Sequence, residues 1–467
     1  MTAMRRGQHP EPQDLGRAPG MASHHKHPGC RTLCYRPRPR KHAPHLCVRR
    51  VRATRLAFAM VLGVAVSAKQ SKAANPTHQE IPREATRAEA ESLLRTLENT
   101  VDAEVRDVHN AWILAHGVVA FGPKLTASDG RPVVDVIVHD FAMVSHDRSA
   151  NRKRSRNRGR SRGRSRNGNG NRDHAKTDVE AGVLIEFPRS TKEGIPIEPH
   201  RMLVTKALVD AGVSPTRRFV LSTGDTVTLA KLVDDGARSL AFPKTEEDFR
   251  GIGWGLLALL MTHELDATIA LADGGRSLRD LWLASLAELE RLQSFLVEPM
   301  RAQRPDLVEK RKQGIFAHTC GGTHLIQAVA YGTAQSRDPA ASRRLREQLE
   351  ILLFRFDAER RIYDRMIAAQ PRYAAPLLIQ KLKFSGHFLE TLALAHSWGV
   401  FRPSPTEIRT IRAAVRDLAN TTEALRSAYA NLPKLKKTAP QAYFDLVGDT
   451  CHAIRGLRLS VVAFFSP

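Results

Sequence analysis

"CGGTHLIQAVAYG" (residues 320–332) is the stretch from which the fold of this chain can be predicted. It is an apolar run with glycine and histidine near its start, and the same pattern recurs further along the chain. Two later apolar stretches with early glycine and histidine are "FSGHFLETLALAHSWG" (384–399) and "VGDTCHAIRGLRLSVVAFF" (447–465). Their histidines His324, His387 and His452 are 63 and 65 residues apart. One period shared by three helical stretches indicates an internal repeat.

A longer amphipathic stretch precedes each of the apolar ones and begins at a helix-capping residue. The capping residues are Ser277, with Asp280 three residues later, Asp338, followed by Pro339, and Ser404, followed by Pro405 and Glu407. These caps are 61 and 66 residues apart and match the histidine spacing. The sequence therefore predicts repeated α-hairpins of about 65 residues over 200–467, which close into a toroid or stack as an open solenoid.

Residues 74–199 have a different pattern. They begin with helical spacing and then change to runs rich in β-branched residues, "VVDVIVHDFAMV" and "AGVLIEF". Such runs favour strands, so we expect a small β-hairpin near 133–187. The fold class predicted for the whole chain is mainly α.

The net charge of +24 is concentrated in two segments. Residues 1–59 and residues 148–172 each carry a balance of +11, which leaves +2 for the rest of the chain. Segment 148–172 alternates arginine with serine, glycine and asparagine, and this composition predicts a disordered Arg-rich insertion. It contains no aromatic residue for base stacking, so we expect weak polyanion contact and no specific nucleic-acid binding.

Residues 48–73 resemble a bacterial export signal. Four arginines precede an apolar run, Leu56 to Val66, that is too short to span a bilayer. Small-residue cleavage sites follow it and end at Ala68 and Ala73. The preceding residues 1–47 have no hydrophobic periodicity and are predicted to be a disordered leader. Because an export signal should begin near the start of a chain, the native start is predicted near Val48. We therefore expect a secreted or periplasmic protein with no transmembrane span after signal removal.

The helical pairs resemble the α/α-toroid architecture of terpene cyclases, protein prenyltransferases and lanthionine-forming cyclases. "TCGGTH" (319–324) and "DTCHAIRG" (449–456) are also similar to the zinc-binding segments of the lanthionine-forming cyclases. That resemblance implies Cys320, Cys451 and His452 as zinc ligands. The chain departs from the pattern because 131 residues separate the two cysteines and no glycine follows His452.

In a toroid the starts of the inner helices face a central cavity, which would gather the thiols and imidazoles that zinc prefers. The candidate metal ligands are Cys320, His324, Cys451 and His452, and the candidate cavity-lining residues are His318, His387, Trp254, Glu390 and Asp449. Two other interpretations stay open. Cys320 and Cys451 could form a disulfide, or the histidines could be hydrogen-bonded packing groups.

No motif in the sequence names a reaction. It contains neither a phosphate-binding Gly-Lys-Ser/Thr loop nor a Gly-x-Ser-x-Gly elbow, and no cofactor other than zinc is indicated. The sequence favours an exported protein that binds a ligand in a histidine-lined cavity. The alternatives are a zinc-dependent toroid enzyme and a non-catalytic helical-repeat interaction protein.

Overall fold

The computed structural model describes residues 83–146 and 183–465. Within these ranges the chain is mainly helical with small antiparallel sheets, which confirms the predicted fold class. The predicted leader 1–47, export signal 48–73 and Arg-rich insertion 148–172 lie outside the described residues. No helix in the described part of the chain is long and apolar enough to cross a membrane.

The elements of the amino-terminal half are, in chain order, α1 (Arg87–Val101), α2 (Ala111–Phe121), α3 (Val133–Phe141), β1 (Met143–His146), β2 (Val183–Glu186), α4 (Leu203–Asp210), β3 (Arg218–Val220), β4 (Thr226–Thr228), α5 (Leu229–Ala237), α6 (Glu246–Phe249), α7 (Ile252–Thr262), β5 (Thr268–Leu271) and β6 (Gly274–Ser277). The carboxy-terminal half contains α8 (Leu278–Gln293), α9 (Val297–Arg301), α10 (Thr323–Ser336), α11 (Pro339–Ala369), α12 (Ala374–Ser397), α13 (Pro405–Ala424), α14 (Arg426–Tyr429), α15 (Leu432–Thr438) and α16 (Pro440–Phe464).

Two kinds of long helix alternate along the chain. Helices α2, α4, α7, α10, α12 and α16 are largely buried, and each contacts the next in that series, with α16 contacting α2. Helices α1, α3, α5, α8, α11 and α13 bury one face against members of that series. We call the first series the inner helices and the second series the outer helices. An apolar stripe on one face is sufficient for an outer helix, whereas an inner helix must be apolar on most sides.

The predicted helix starts agree with the structure. Ser277 and Ser404 each accept a hydrogen bond from the backbone N–H three residues on, and Glu407 completes a capping box with Ser404. Asp338 accepts from the backbone N–H of Ala340, one residue after the proline that begins α11. Each bond satisfies a backbone donor that the first helical turn leaves without a partner.

The stretch "VVDVIVHDFAMV" was expected to be a strand, but most of it is helix α3. Five of its aliphatic side chains, from Val133 to Val138, are buried. Burying one such side chain contributes about 1.5–3 kcal/mol, which outweighs the few tenths that a β-branched residue costs in a helix. The predicted hairpin is confirmed only where β1 pairs with β2, from Met143 opposite Glu186 to His146 opposite Val183.

Two further antiparallel hairpins were not anticipated. Strands β3 and β4 connect α4 to α5, and strands β5 and β6 connect α7 to α8. Gly224 and Gly274 adopt positive φ in their turns, at 86° and 122°. Each hairpin carries the chain from an inner helix back to the next outer one.

Candidate functional site

Five of the inner helices each contribute an indole or imidazole ring to one cluster of side chains. These are His116 on α2, Trp254 on α7, His324 on α10, His387 on α12 and His452 on α16. The ring centroids of His387 and His452 are 3.9 Å apart, and His324 lies 4.9 Å from His387 and 5.5 Å from His452. The repeat of histidines along the sequence therefore becomes a cluster in space.

Close packing between α12 and α16 draws the last two rings together. A Cβ atom on Gly386 would lie 2.9 Å from a backbone nitrogen of α16. A Cβ atom on Gly456 would lie 2.7 Å from a backbone nitrogen of α12. Only glycine permits this approach, so the two glycines set the separation of His387 and His452.

Cys320 reaches the cluster from a turn, Thr319–Gly322, that immediately precedes α10. Cys320, Gly321 and Gly322 all have left-handed backbone conformations, with φ of 53°, 60° and 74°. This conformation costs a residue with a Cβ atom about 1–2 kcal/mol, and such strain is concentrated at functional sites. The Cys320 thiol and ring nitrogens of His324 and His387 lie within 4.8 Å of one another.

A second group of ligand atoms shares His387 with the first. One ring nitrogen of His387, a carboxylate oxygen of Glu390 and one ring nitrogen of His452 also lie within 4.8 Å of one another. Nδ1 of His452 donates to Glu390 over 2.8 Å, and Nδ1 of His387 lies 3.5 Å from the same carboxylate. The other carboxylate oxygen of Glu390 accepts from Arg455 over 3.0 Å.

Several polar atoms of the cluster are buried without a hydrogen-bond partner among the described residues. Nδ1 of His324 has none, and both ring nitrogens of His387 lack a hydrogen bond of good geometry, although the Cys320 sulfur and the Glu390 carboxylate lie beside that ring. Buried polar side-chain atoms usually have partners, and one that does not is a place to look for a missing ion or ligand. This pattern argues against the interpretation of these histidines as hydrogen-bonded packing groups.

Burial and neighbouring charges shift the pKa values of the imidazoles in opposite directions. Burial lowers the pKa of His324 well below its usual range and lowers the pKa of His452 to about 4. Burial also disfavours the charged form of His387, but the Cys320 sulfur and Glu390 outweigh it and raise its pKa to about 10. The neutral imidazole is the form that binds a metal, so His324 and His452 need lose no proton before binding one.

The cluster lies beside a cavity of about 170 Å³. Trp112, Trp254 and Phe444 provide apolar wall, and Lys383, Asp445 and Asp449 provide polar groups. Burial, assisted by Asp445, raises the pKa of Asp449 to about 7, although Lys383 opposes the shift.

The structure unites most of the residues singled out in the sequence. The thiol of Cys320, the imidazoles of His324, His387 and His452, and the carboxylate of Glu390 form the cluster, while Trp254 and Asp449 line the cavity. Cys451 is fully buried and belongs to neither group of ligand atoms. Its thiol and that of Cys320 are both free, so the described residues contain no disulfide between them. His318 is buried close by in sequence but does not line the cavity.

Two imidazoles of the cavity were not foreseen. His116 packs 5.2 Å from His452, and His200 stacks on Trp254 with centroids 4.3 Å apart. "NAWILAHGVVAFG" has the same apolar character and the same His and Gly as the later inner stretches, so His116 could have been found by extending the repeat. His200 precedes α4 on a loop, where no periodicity marks it.

No protein-family model, curated protein or solved structure matches this chain. A function can therefore be inferred only from the geometry and chemistry of the cluster.

Proposed function

We propose that the chain is a zinc-dependent enzyme in which Cys320, His324 and His387 hold the metal beside the central cavity. The observation that carries this proposal is the convergence of one thiol and two imidazoles within 4.8 Å, together with a buried Nδ1 of His324 that has no hydrogen-bond partner in the described part of the chain. Sulfur and imidazole nitrogen are preferred zinc ligands, and three protein ligands with one open position are typical of catalytic zinc.

The cavity supports an enzymatic role over a structural one. All three ligand residues line it, as do Lys383 and Asp449, so a small molecule in the cavity would meet the metal and two polar groups. Cys320, His324 and His387 would hold a zinc ion, which would supply polarisation of a carbonyl group or a bound water with a pKa of about 7. Trp112 and Trp254 would exclude water from the apolar side of the ligand.

We also propose that the six buried helices form the inner ring of an α/α-toroid. The support is the series of contacts that runs from α2 through α4, α7, α10 and α12 to α16 and returns to α2. The alternation of inner and outer helices along the chain agrees with this arrangement. An open solenoid would leave the first and last members of the series without contact.

The first prediction concerns metal content. The purified full-length chain is expected to contain at least one equivalent of zinc. Elemental mass spectrometry of the acid-digested protein measures this content. Replacing Cys320→Ser or His324→Ala should remove at least half of it, because each substitution deletes one of three ligands. Cys451→Ser is the matched control and should leave the zinc content unchanged, since that thiol belongs to neither group of ligand atoms.

A metal-free protein would overturn the zinc proposal. The raised pKa of His387 beside the Cys320 sulfur, with Glu390 close by, would then favour a cysteine nucleophile served by a histidine base. Slower alkylation of Cys320 in the His387→Gln variant than in the wild-type metal-free chain would identify that alternative, because the substitution removes the imidazole and leaves the exposure of the thiol unchanged.

The second prediction concerns export, which we propose from residues 48–73. Expression of the full chain in a bacterial host should yield a mature amino terminus shortly after Ala68 or Ala73, as read by peptide sequencing of the extracellular or periplasmic fraction. A mature terminus near Thr2 would contradict export through this segment.

A further inference from the structure

The second group of ligand atoms has the chemistry of a metal site in its own right. His387, Glu390 and His452 offer two imidazole nitrogens and one carboxylate oxygen, and all three side chains are buried. Nδ1 of His452 lies 2.8 Å and Nδ1 of His387 lies 3.5 Å from one oxygen of Glu390. Ligand atoms that share a divalent ion at about 2.0–2.2 Å lie at similar separations from one another.

His387 is common to both groups and is the residue with the most unsatisfied polar atoms. Neither of its ring nitrogens makes a hydrogen bond of good geometry among the described residues, although the side chain is fully buried. Its polar neighbours are the Cys320 sulfur and the Glu390 carboxylate, which lies 3.5 Å from Nδ1. An imidazole that has lost both ring protons can bind one ion through each nitrogen. Two ions would thereby satisfy both orphaned nitrogens, whereas one ion would satisfy only one of them.

We propose that the cluster holds two divalent metal ions bridged by the imidazolate of His387. One ion is bound by Cys320, His324 and His387, and the other by His387, Glu390 and His452. The inference rests on the proposed function for the first ion and adds a second ion with harder, oxygen-containing ligands. The two ions lie next to the cavity that His324, His387 and His452 line.

The ligands neutralise three of the four positive charges of two divalent ions, because the thiolate, the carboxylate and the imidazolate each supply one negative charge. Arg455 adds positive charge beside Glu390, and Asp210, which also pairs with Lys206, offsets part of it. Loading releases to solvent the thiol proton of Cys320 and every proton on the ring nitrogens of His387. The proton on Nδ1 of His452 moves to Nε2 of the same ring.

A simpler role for Glu390 makes a different prediction. A carboxylate that accepts a hydrogen bond from a histidine often only orients that ring toward a single metal. Glu390 would then contribute to the geometry of the first site without holding an ion. The number of ions bound distinguishes the two roles.

Cobalt(II) titration of the metal-free full-length chain tests the inference. The first equivalent should bring a thiolate-to-cobalt charge-transfer band from the site that contains Cys320. A second equivalent should add visible ligand-field absorption without further charge transfer, and coupling through the imidazolate should weaken the paramagnetic signal of both ions. Cys320→Ser should bind one equivalent without the band, and Glu390→Gln or His452→Gln should bind one equivalent with the full band.

Asp417→Asn serves as the matched control because Asp417 is a buried, lysine-paired carboxylate on α13, outside the cavity lining. It should bind two equivalents, with folding of every variant checked by circular dichroism. Saturation of the wild-type chain at one equivalent, or full binding by both Glu390→Gln and His452→Gln, would overturn the second ion and leave the first intact. The absence of any charge-transfer band would overturn both proposals.

Discussion

At the scale of single residues, the turn before α10 decides where the only thiol of the cluster points. Cys320 follows Thr319 and holds a left-handed backbone conformation, which the next two residues, Gly321 and Gly322, share. Gly322 has the least room, because a Cβ atom there would lie 2.2 Å from Cδ1 of Ile315. Packing against Ile315 therefore fixes the position of the turn in addition to its backbone conformation.

The third prediction compares two glycines that both adopt positive φ. Gly399→Ala, with no heavy atom within 4 Å of the new Cβ, should lower the free energy of unfolding by about 1–2 kcal/mol. Gly322→Ala adds overpacking of about 1–3 kcal/mol to the same backbone cost. Urea unfolding measures both losses, and equal values for the two variants would contradict the packing argument. Gly322→Ala should also weaken cobalt binding, because it displaces the turn that carries Cys320.

The residue pattern of the cluster was partly available in the sequence. His324, His387 and His452 follow one period, and Glu390 lies three residues after His387 on the same helical face. Cys451 was expected to join His452 as a metal ligand, but the side chains of adjacent residues on a helix point about 100° apart. With His452 facing the cavity, Cys451 therefore enters the core instead.

At the scale of elements, capping residues were the most dependable signal. Ser277, Asp338 and Ser404 begin helices as expected, because a local hydrogen bond to the first turn needs no tertiary contact. Helix α3 shows the opposite case. Its valines and isoleucine favour a strand locally, and only burial against α2 and β3 makes the helix the lower-energy state.

The alternation of outer and inner helices extends further toward the amino terminus than the period of about 65 residues indicates. Outer helices vary from 9 residues in α5 to 31 in α11, and three β-hairpins interrupt the amino-terminal half. These differences remove the regular spacing of about 65 residues, although the alternation of outer and inner helices continues from α1. Periodicity in sequence detects repeats of equal length and misses those whose connections differ.

At the scale of the whole molecule, buried charges connect α4 to α16 across the interior. Asp210 on α4 accepts a hydrogen bond of 2.6 Å from Arg455 on α16, and Lys206 lies 2.6 Å from the same carboxylate. Burial opposes ionisation of Asp210, but the two cations outweigh it and hold its pKa at about 2. Arg455 also donates a hydrogen bond to Glu390, so the network is connected to the cluster of histidines and Cys320.

The fourth prediction concerns this network. Asp210→Asn should lower the free energy of unfolding at pH 7 by about 3–5 kcal/mol, because it leaves buried cations without their counter-charge. The folded-state pKa of Asp210 lies below the usual 3.8, so its stabilisation is present above that value and is lost as pH falls toward 2. The difference between the variant and the wild-type chain should therefore shrink below about pH 4.

Urea unfolding at pH 7 and at pH 3 measures both effects. Asp306→Asn is the control, because Asp306 pairs with Arg304 at the surface, where water and salt screen the attraction between the two charges. A loss for Asp210→Asn that is no larger than the control, or that stays constant with pH, would contradict the proposed role of the buried charges.

The sequence by itself determined the mainly helical class, the capped helix starts and the periodic histidines, because these depend on local hydrogen bonds and on the spacing of apolar residues along the chain. Only the tertiary structure decided which thiol joins the histidines, that α3 is a helix, and that His116 and His200 enter the cavity. Those outcomes depend on contacts between residues far apart in sequence, and the free energy of such contacts exceeds the local preferences that sequence patterns report.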